Sequence, residues 1–302
     1  MIFKLENSIN QPIKLPNNKV ELYMKREDVI HPFVSGNKYR KLKYNLLEAK
    51  KGNYDRLLTF GGAFSNHIAA VAAAGKGFGL KTIGVIRGEE LADKVVGNAT
   101  LSYAEANGMR FKFVSRETYR KKTSPEFLEA LKEEYGAFYK VPEGGTNTLA
   151  VKGCEEILTQ EDANFDYICT AVGTGGTIAG LINCLKPSQQ VLGFPALKGD
   201  FLKEDISKFA NKSNWKLITD YHFGGYAKIN EALVVFINKF KQDYGVALDP
   251  VYTGKMLFGI FDLIEKGYFS EGSKILAIHT GGLQGIEGMN AVLKKKNLPI
   301  II

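Results

Sequence analysis

The chain has 302 residues, enough for a large buried core and for two lobes. Hydrophobic residues make up 45% and charged ones 24%, an ordinary globular balance, and no apolar run approaches the roughly 20 residues of a membrane helix. The net charge of +8 comes from lysines spread along the chain, the densest runs being short. It therefore argues for a solvated basic surface or a small anionic ligand rather than a nucleic-acid groove.

The first ten residues carry Lys4 and Glu6 and lack the apolar stretch of a secretory signal, so the expectation is a cytoplasmic protein without membrane attachment. Cys154, Cys169 and Cys184 are odd in number and form no C-x-x-C pair; the four histidines form no H-x-x-x-H pair. Neither a disulfide framework nor a metal site is expected.

In chain order, a helix starting near Asn37 aligns Lys38 with Leu42, Leu46 and Ala49, while Lys41, Lys43 and Lys50 are expected to project elsewhere. An inward lysine is costly unless paired, neutralised or covalently used; the plainer reading is a snorkelling side chain at a helix start. Strands are predicted over 57–60, 82–86, 111–114, 167–172, 191–194 and 275–279, from short β-branched or aromatic runs. Between them, helical periods cover 66–75, 89–107, 124–135, 149–158, 178–185, 231–244 and 255–266. Such alternation calls for parallel sheets with helices on both faces.

Glycine pairs punctuate this pattern at 61–62, 144–145, 175–176, 224–225 and 281–282, and at least three follow a predicted strand, where open α/β sheets bind ligands. Gly173-Thr174-Gly175-Gly176-Thr177 leaves a strand and opens a helix, offering backbone N–H groups and a positive helix end to an anion. It has neither the Walker Gly-Lys-Ser/Thr nor G-x-G-x-x-G spacing, which disfavours a dinucleotide and hence a nicotinamide dehydrogenase. In the run from Gly61 to His67, Ser65 or Asn66 can cap a helix, and the same groups can grip a carboxylate or a phenolic oxygen.

As a set, these segments resemble the tryptophan-synthase-like (fold type II) pyridoxal-phosphate enzymes, and within them the D-cysteine desulfhydrase/1-aminocyclopropane-1-carboxylate (ACC) deaminase family. The motifs are Lys-Arg-Glu-Asp at 25–28, Ser-Gly-Asn-Lys-x-Arg-Lys-Leu at 35–42, Gly-Gly-x-x-Ser-Asn-His at 61–67 and Gly-Thr-Gly-Gly-Thr at 173–177. Asp-Pro-Val-Tyr-Thr-Gly-Lys at 249–255 and His-Thr-Gly-Gly at 279–282 complete them, in order over nearly the whole chain.

The resemblance implies two open, mostly parallel twisted sheets flanked by helices, with the active site between a larger pyridoxal-phosphate-binding domain (1–49 plus 146–302) and a smaller α/β domain (50–145). It implies a homodimer acting on a small amino acid. By the same resemblance, Lys38 carries the pyridoxal phosphate as a Schiff base and takes the Cα proton once freed. Gly173, Thr174, Gly175, Gly176 and Thr177 cup the cofactor phosphate, Asn66 meets its phenolic oxygen, and Ser65, Asn66 and His67 take the substrate carboxylate. Tyr252 and Tyr226 are expected beside the ring or in proton transfer, although an aromatic next to a glycine pair is equally often plain packing.

One departure is Phe64, where the family often has Gln before Ser-Asn. Two further positions bear on the reaction: Thr253 and Thr280 stand where true ACC deaminases carry Glu and Leu. A carboxylate near the pyridine nitrogen deepens the electron sink that opening a cyclopropane needs; a threonine does so less. The pair therefore favours α,β-elimination of D-cysteine to pyruvate, sulfide and ammonia over ACC deamination to 2-oxobutyrate. A rival of another class is a non-catalytic binder of anions or nucleic acid on the same fold.

Overall fold

The computed structural model describes residues 5–16, 19–31, 33–199 and 201–302. Lys4, part of the polar start noted above, lies outside them. In chain order the strands and α-helices are β1 (Asn10–Ile13), β2 (Glu21–Lys25), α1 (Asn37–Lys51), β3 (Arg56–Gly61), α2 (Asn66–Phe78), β4 (Lys81–Arg87), α3 (Ala99–Ala106), β5 (Met109–Val114), α4 (Arg116–Arg120), α5 (Pro125–Tyr135) and β6 (Tyr139–Lys140). There follow α6 (Thr148–Glu155), β7 (Tyr167–Val172), α7 (Gly176–Cys184), β8 (Gln190–Pro195), α8 (Leu202–Ser207), β9 (Trp215–Leu217), α9 (Glu231–Tyr244), α10 (Thr253–Glu265), β10 (Lys274–Ile278) and α11 (Gly285–Lys295).

The strands form two sheets. One has the order β1-β2-β10-β7-β8-β9, parallel throughout except for the β1–β2 hairpin; the other has the order β5-β4-β3-β6 and is parallel throughout. The predicted architecture of two mostly parallel sheets flanked by helices is thus observed. Strands β3, β7 and β8 are buried at five consecutive positions, as parallel strands covered on both faces require.

The core divides accordingly. One face of the larger sheet packs Leu192 and Ala277 against Ile237, Leu257 and Leu293; the other packs Ile168 and Leu276 against Ile178 and Leu181. The smaller sheet is sandwiched likewise, with Leu57 and Ile86 against α1 and α2, and Leu58 and Val85 against Leu131. Helix α2 is alanine-rich and buried nearly all round, which lets it lie close to β4: a Cβ added at Gly75 would sit 2.2 Å from Thr82.

The single helix predicted over 89–107 is in fact two elements, a 3-10 turn at Glu89–Lys94 and α3. The chain breaks before Asn98, whose Oδ1 accepts from the Leu101 N–H at 3.0 Å and caps α3. Strands β1 and β2, too short and polar for the periodicity reading, complete the larger sheet, β2 pairing with β10 and β1 with the outer edge of β2.

No helix among the described residues is long and apolar enough to cross a membrane. Likewise no cluster of three His, Cys, Asp or Glu side chains among them could hold a metal ion.

Candidate functional site

The carboxyl ends of β3 and β7, the turn after β10 and the start of α1 converge on a cavity of about 810 Å³. Its walls include Lys38, Ser65, Asn66, His67, Gly173, Thr174, Gly175, Thr177, Tyr226, Tyr252 and Thr280, so most of the residues singled out in sequence meet in one place. Gly176 opens α7 behind the loop, and Thr253 is fully buried outside the cavity wall.

Helix α1 begins at Asn37 after Gly36, which has a φ of +59° and would drive a Cβ to 2.0 Å from the Thr280 carbonyl oxygen. Only glycine lets the turn after β10 lie against the start of α1. Asn37 is therefore the first helical residue rather than the cap. Its Oδ1 accepts from Lys38 Nζ at 2.9 Å and its Nδ2 donates to Thr177 Oγ1 at 2.8 Å, tying the lysine to the glycine loop.

Lys41 departs from the expected outward direction. It is buried, and its Nζ donates to the Gly144 carbonyl and Thr146 Oγ1, both at 3.0 Å, and to Thr174 Oγ1 at 3.3 Å. The glycine loops cover α1 one position round from its apolar stripe, so two lysines enter the cavity instead of one. Burial, followed by the Lys41 charge, pushes Lys38 down to about 7; burial pushes Lys41 down to about 8.

Ser65 caps α2, accepting from the Ile68 N–H at 3.5 Å, so the capping role coexists with a position on the cavity wall. Asn66 Oδ1 is buried without a hydrogen-bond partner, as is His67 Nδ1. The other His67 nitrogen, Nε2, meets Thr59 Oγ1 at 2.8 Å, and that hydroxyl donates its one proton to the Val141 carbonyl at 2.9 Å. Nε2 must then carry the imidazole proton, leaving Nδ1 a bare acceptor. Burial and the two lysine charges hold His67 well below its ordinary range, in keeping with a neutral ring.

At the Gly173–Thr177 turn, no side chain caps α7, so the first N–H groups of the helix remain available to an anion. A Cβ on Gly173 would come within 3.1 Å of the Tyr252 ring. That ring meets Tyr226 edge-on, with centroids 6.2 Å apart.

The threonine reading needs a correction of geometry. Thr253 Oγ1 donates to Asp249 Oδ1 at 2.8 Å and accepts from the Asp249 N–H, while the same carboxylate also takes the N–H groups of Val251, Tyr252 and Thr253. The hydroxyl is consumed in building the start of α10; of the two threonines, only Thr280 lines the cavity. Lys255 secures the other side, donating to the carbonyls of His222 at 2.9 Å and Gly225 at 2.8 Å.

The sequence reading also missed a cationic wall of Arg87, Arg116, Arg120 and Lys122 around Tyr119. Arg116, Tyr119, Arg120 and Lys122 are neighbours on and just after α4, and the pairing of β4 with β5 brings Arg87 to them.

A family model described as "Pyridoxal-phosphate dependent enzyme" matches residues 8–281. The Arabidopsis thaliana protein named bifunctional D-cysteine desulfhydrase/1-aminocyclopropane-1-carboxylate deaminase, mitochondrial, is 35% identical over 90% of this chain and 74% of its own. The Rhizobium rhizogenes 1-aminocyclopropane-1-carboxylate deaminase is 31% identical over 89% of each. Among solved structures, an ACC deaminase homologue superposes with a TM-score of 0.81 at 31% identity, covering 95% of this chain and 94% of that one.

Proposed function

This chain belongs to the family of pyridoxal-phosphate-dependent enzymes, and we propose that it removes ammonia from a small amino acid by α,β-elimination, in the manner of a D-cysteine desulfhydrase. The observation that carries the choice is the wall made by the 279–282 turn and the start of α10. It offers the Thr280 hydroxyl and no carboxylate, because Asp249 is enclosed by its own loop. Elimination of a good leaving group tolerates that shallower electron sink; opening a ring that bears no Cα hydrogen does not.

The cavity suits the cofactor on its own chemistry. A lysine held near pH 7 can form an imine, an uncapped helix start with a glycine loop suits a phosphate, and the orphaned amide atom of Asn66 suits a polar ring substituent. When bound, pyridoxal phosphate supplies an electron sink for a carbanion at Cα. In this reading Lys38 holds the cofactor and, once released, takes the Cα proton with its neutral amine. The Gly173–Thr177 loop holds the phosphate, with the Lys41 charge behind Thr174. Ser65, Asn66 and the start of α2 hold the substrate carboxylate; the neutral His67, expected to share in this, has its bare Nδ1 with no proton to give a carboxylate and is not among the groups that hold it. Tyr252 and Tyr226 pack against the ring side and pass protons.

We read residues 50–145 as a smaller lobe that closes on the rest, and the enzyme as a homodimer in the cytoplasm. An anion or nucleic-acid binder on this fold is set aside, since it leaves an inward, half-neutral lysine without a purpose.

The test is borohydride reduction of the coloured protein followed by peptide mass analysis, with the label expected on Lys38. Incubation with D-cysteine is then expected to release sulfide and pyruvate. Production of 2-oxobutyrate from ACC without sulfide from D-cysteine would select the ACC deaminase reading, which the name of the Rhizobium relative favours.

A further inference from the structure

The cavity carries more positive charge than the cofactor and a simple amino acid require. Beyond Lys38 and Lys41, its wall on the smaller-sheet side includes Arg87 at the end of β4 and Arg116 and Arg120 on α4, with Lys122 just after. Arg116 is paired with Glu90 at 3.0 Å and Lys122 with Glu143 at 3.2 Å. Arg87 and Arg120 form no ion pair among the described residues.

On the same wall stands Tyr119, 3% exposed, with the Arg87 guanidinium 5.7 Å and the Lys122 amine 4.7 Å from its ring centre. Its hydroxyl is buried without a hydrogen-bond partner at ordinary distance, and after burial it is the nearby Glu143 carboxylate, itself paired with Lys122, that pushes it up most. A buried phenol with the unpaired Arg87 guanidinium over its ring and the unpaired Arg120 on the same cavity wall is favourable around an oxyanion. The position is also suitable: Arg87 Nη2 lies 3.8 Å from where a side chain on Gly62 would begin, next to the Ser65–Asn66 carboxylate site.

We infer that Arg87, Tyr119 and Arg120 form a specificity site for a second anion on the substrate, a phosphate or sulfate ester carried on Cβ. This rests on the elimination reading above. In the step it implies, the Cα proton passes to Lys38 and the Cβ–O bond breaks with its electron pair leaving on the ester oxygen. One water then supplies the keto oxygen, so that O-phosphoserine and water yield pyruvate, ammonium and phosphate. The guanidinium groups stabilise the charge that grows on the leaving group, an interaction stronger in the transition state than before it.

The experiment compares kcat/KM of the holoenzyme for O-phosphoserine (both enantiomers) and for D-cysteine, in wild type, Arg87→Met/Arg120→Met and Tyr119→Phe. It adds spectral titration with α-methyl-O-phosphoserine, which binds but has no Cα hydrogen to lose. The ratio of phosphoserine to D-cysteine efficiency is expected to fall at least ten-fold in the double variant and several-fold in Tyr119→Phe, with weaker binding of the α-methyl compound in both. An unchanged ratio overturns the inference, whether both efficiencies fall together, as for a site on the α-carboxylate, or neither moves. Sulfide release from D-cysteine by the wild type separates the two levels: its absence sinks the elimination reading, whereas its presence with no use of phosphoserine sinks only the second anion site.

Discussion

Lys38 and Lys41 stand one helical turn apart on α1 and both reach the same buried cavity, where burial and then the Lys41 charge weaken the hold of Lys38 on a proton. The consequence for Lys38, at about 7 instead of the ordinary 10.5, is an amine that is largely neutral in mild alkali. A neutral amine is what attacks an aldehyde. The rate at which cofactor-free protein takes up pyridoxal phosphate should therefore rise with pH around a midpoint near 7. A stopped-flow profile that keeps climbing to pH 10 would mean a solvated lysine and would contradict the geometry.

The same depression affects stability. A lysine whose folded value lies below its unfolded one binds fewer protons when folded between those two values, so stability rises with pH across that window. For Lys38 the window opens near 7; the buried thiols, whose values are raised from 9 by burial, begin to oppose it only above about 9. Cofactor-free protein should accordingly melt higher at pH 8.5 than at pH 7. The slope contributed by one such lysine is at most about 1.4 kcal/mol per pH unit, and Lys38→Met should remove that part of it. Equal slopes in the two proteins, followed by calorimetry, would exclude a depressed Lys38.

How much of this was readable from the chain depends on whether a signal is local. Strand Tyr167–Val172 and helix Glu231–Tyr244 carry their own periodicity and were predicted with the observed bounds. Ser65, Asn66 and the 173–177 loop stand out because glycine turns at strand ends have a physical use, and Lys38 because it falls in line with Leu42, Leu46 and Ala49. Lys41 did not, because α1 has one apolar stripe in sequence and the glycine loops that bury its neighbouring face come from residues 144–146 and 174. Thr253 was expected beside the cofactor because the resemblance puts a Glu of ACC deaminases at its position, yet the turn of α10 rotates its hydroxyl onto Asp249. Tyr119 and Arg87 are brought together only when β4 pairs with β3 and β5, and no local pattern encodes that pairing.

Gly36→Ala tests how far the lysine depends on the turn beneath it. The new methyl would lie 2.0 Å from the Thr280 carbonyl oxygen, a backbone atom that cannot rotate away, at φ +59° and ψ −143°, a conformation essentially confined to glycine. The start of α1 and the 279–282 turn must separate, carrying Lys38 and Asn37 together away from Thr177. Cofactor occupancy, read from absorbance after dialysis, should fall more than ten-fold, with a loss of several degrees in Tm. Full occupancy would show that the two turns are not mutually dependent.

Lys255→Met tests the loop that carries Tyr226. Phe223 and Ala227 sit in the left-handed region at φ +55° and +56°, flanking Gly224 and Gly225 at +90° and +114°, so the segment is strained and needs an external hold. Lys255 provides it from inside α10 through its bonds to the His222 and Gly225 carbonyls, and its own amine is pushed down to about 8 by burial. Methionine fills the volume of the stem but removes both lysine bonds, leaving the His222 carbonyl only the Gly225 N–H at 3.0 Å and the Gly225 carbonyl only the Lys228 N–H at 3.2 Å, a loss of about 1 kcal/mol for each bond. The loop should relax, and Tyr226 should drift from its edge-on contact with Tyr252. Thermal unfolding is expected to drop, and kcat for D-cysteine to fall about ten-fold or more, while borohydride still labels Lys38 fully. A variant with lowered Tm but unchanged kcat would assign Lys255 to stability alone and remove Tyr226 from proton transfer, because a displaced tyrosine that costs no rate has no chemical part to play.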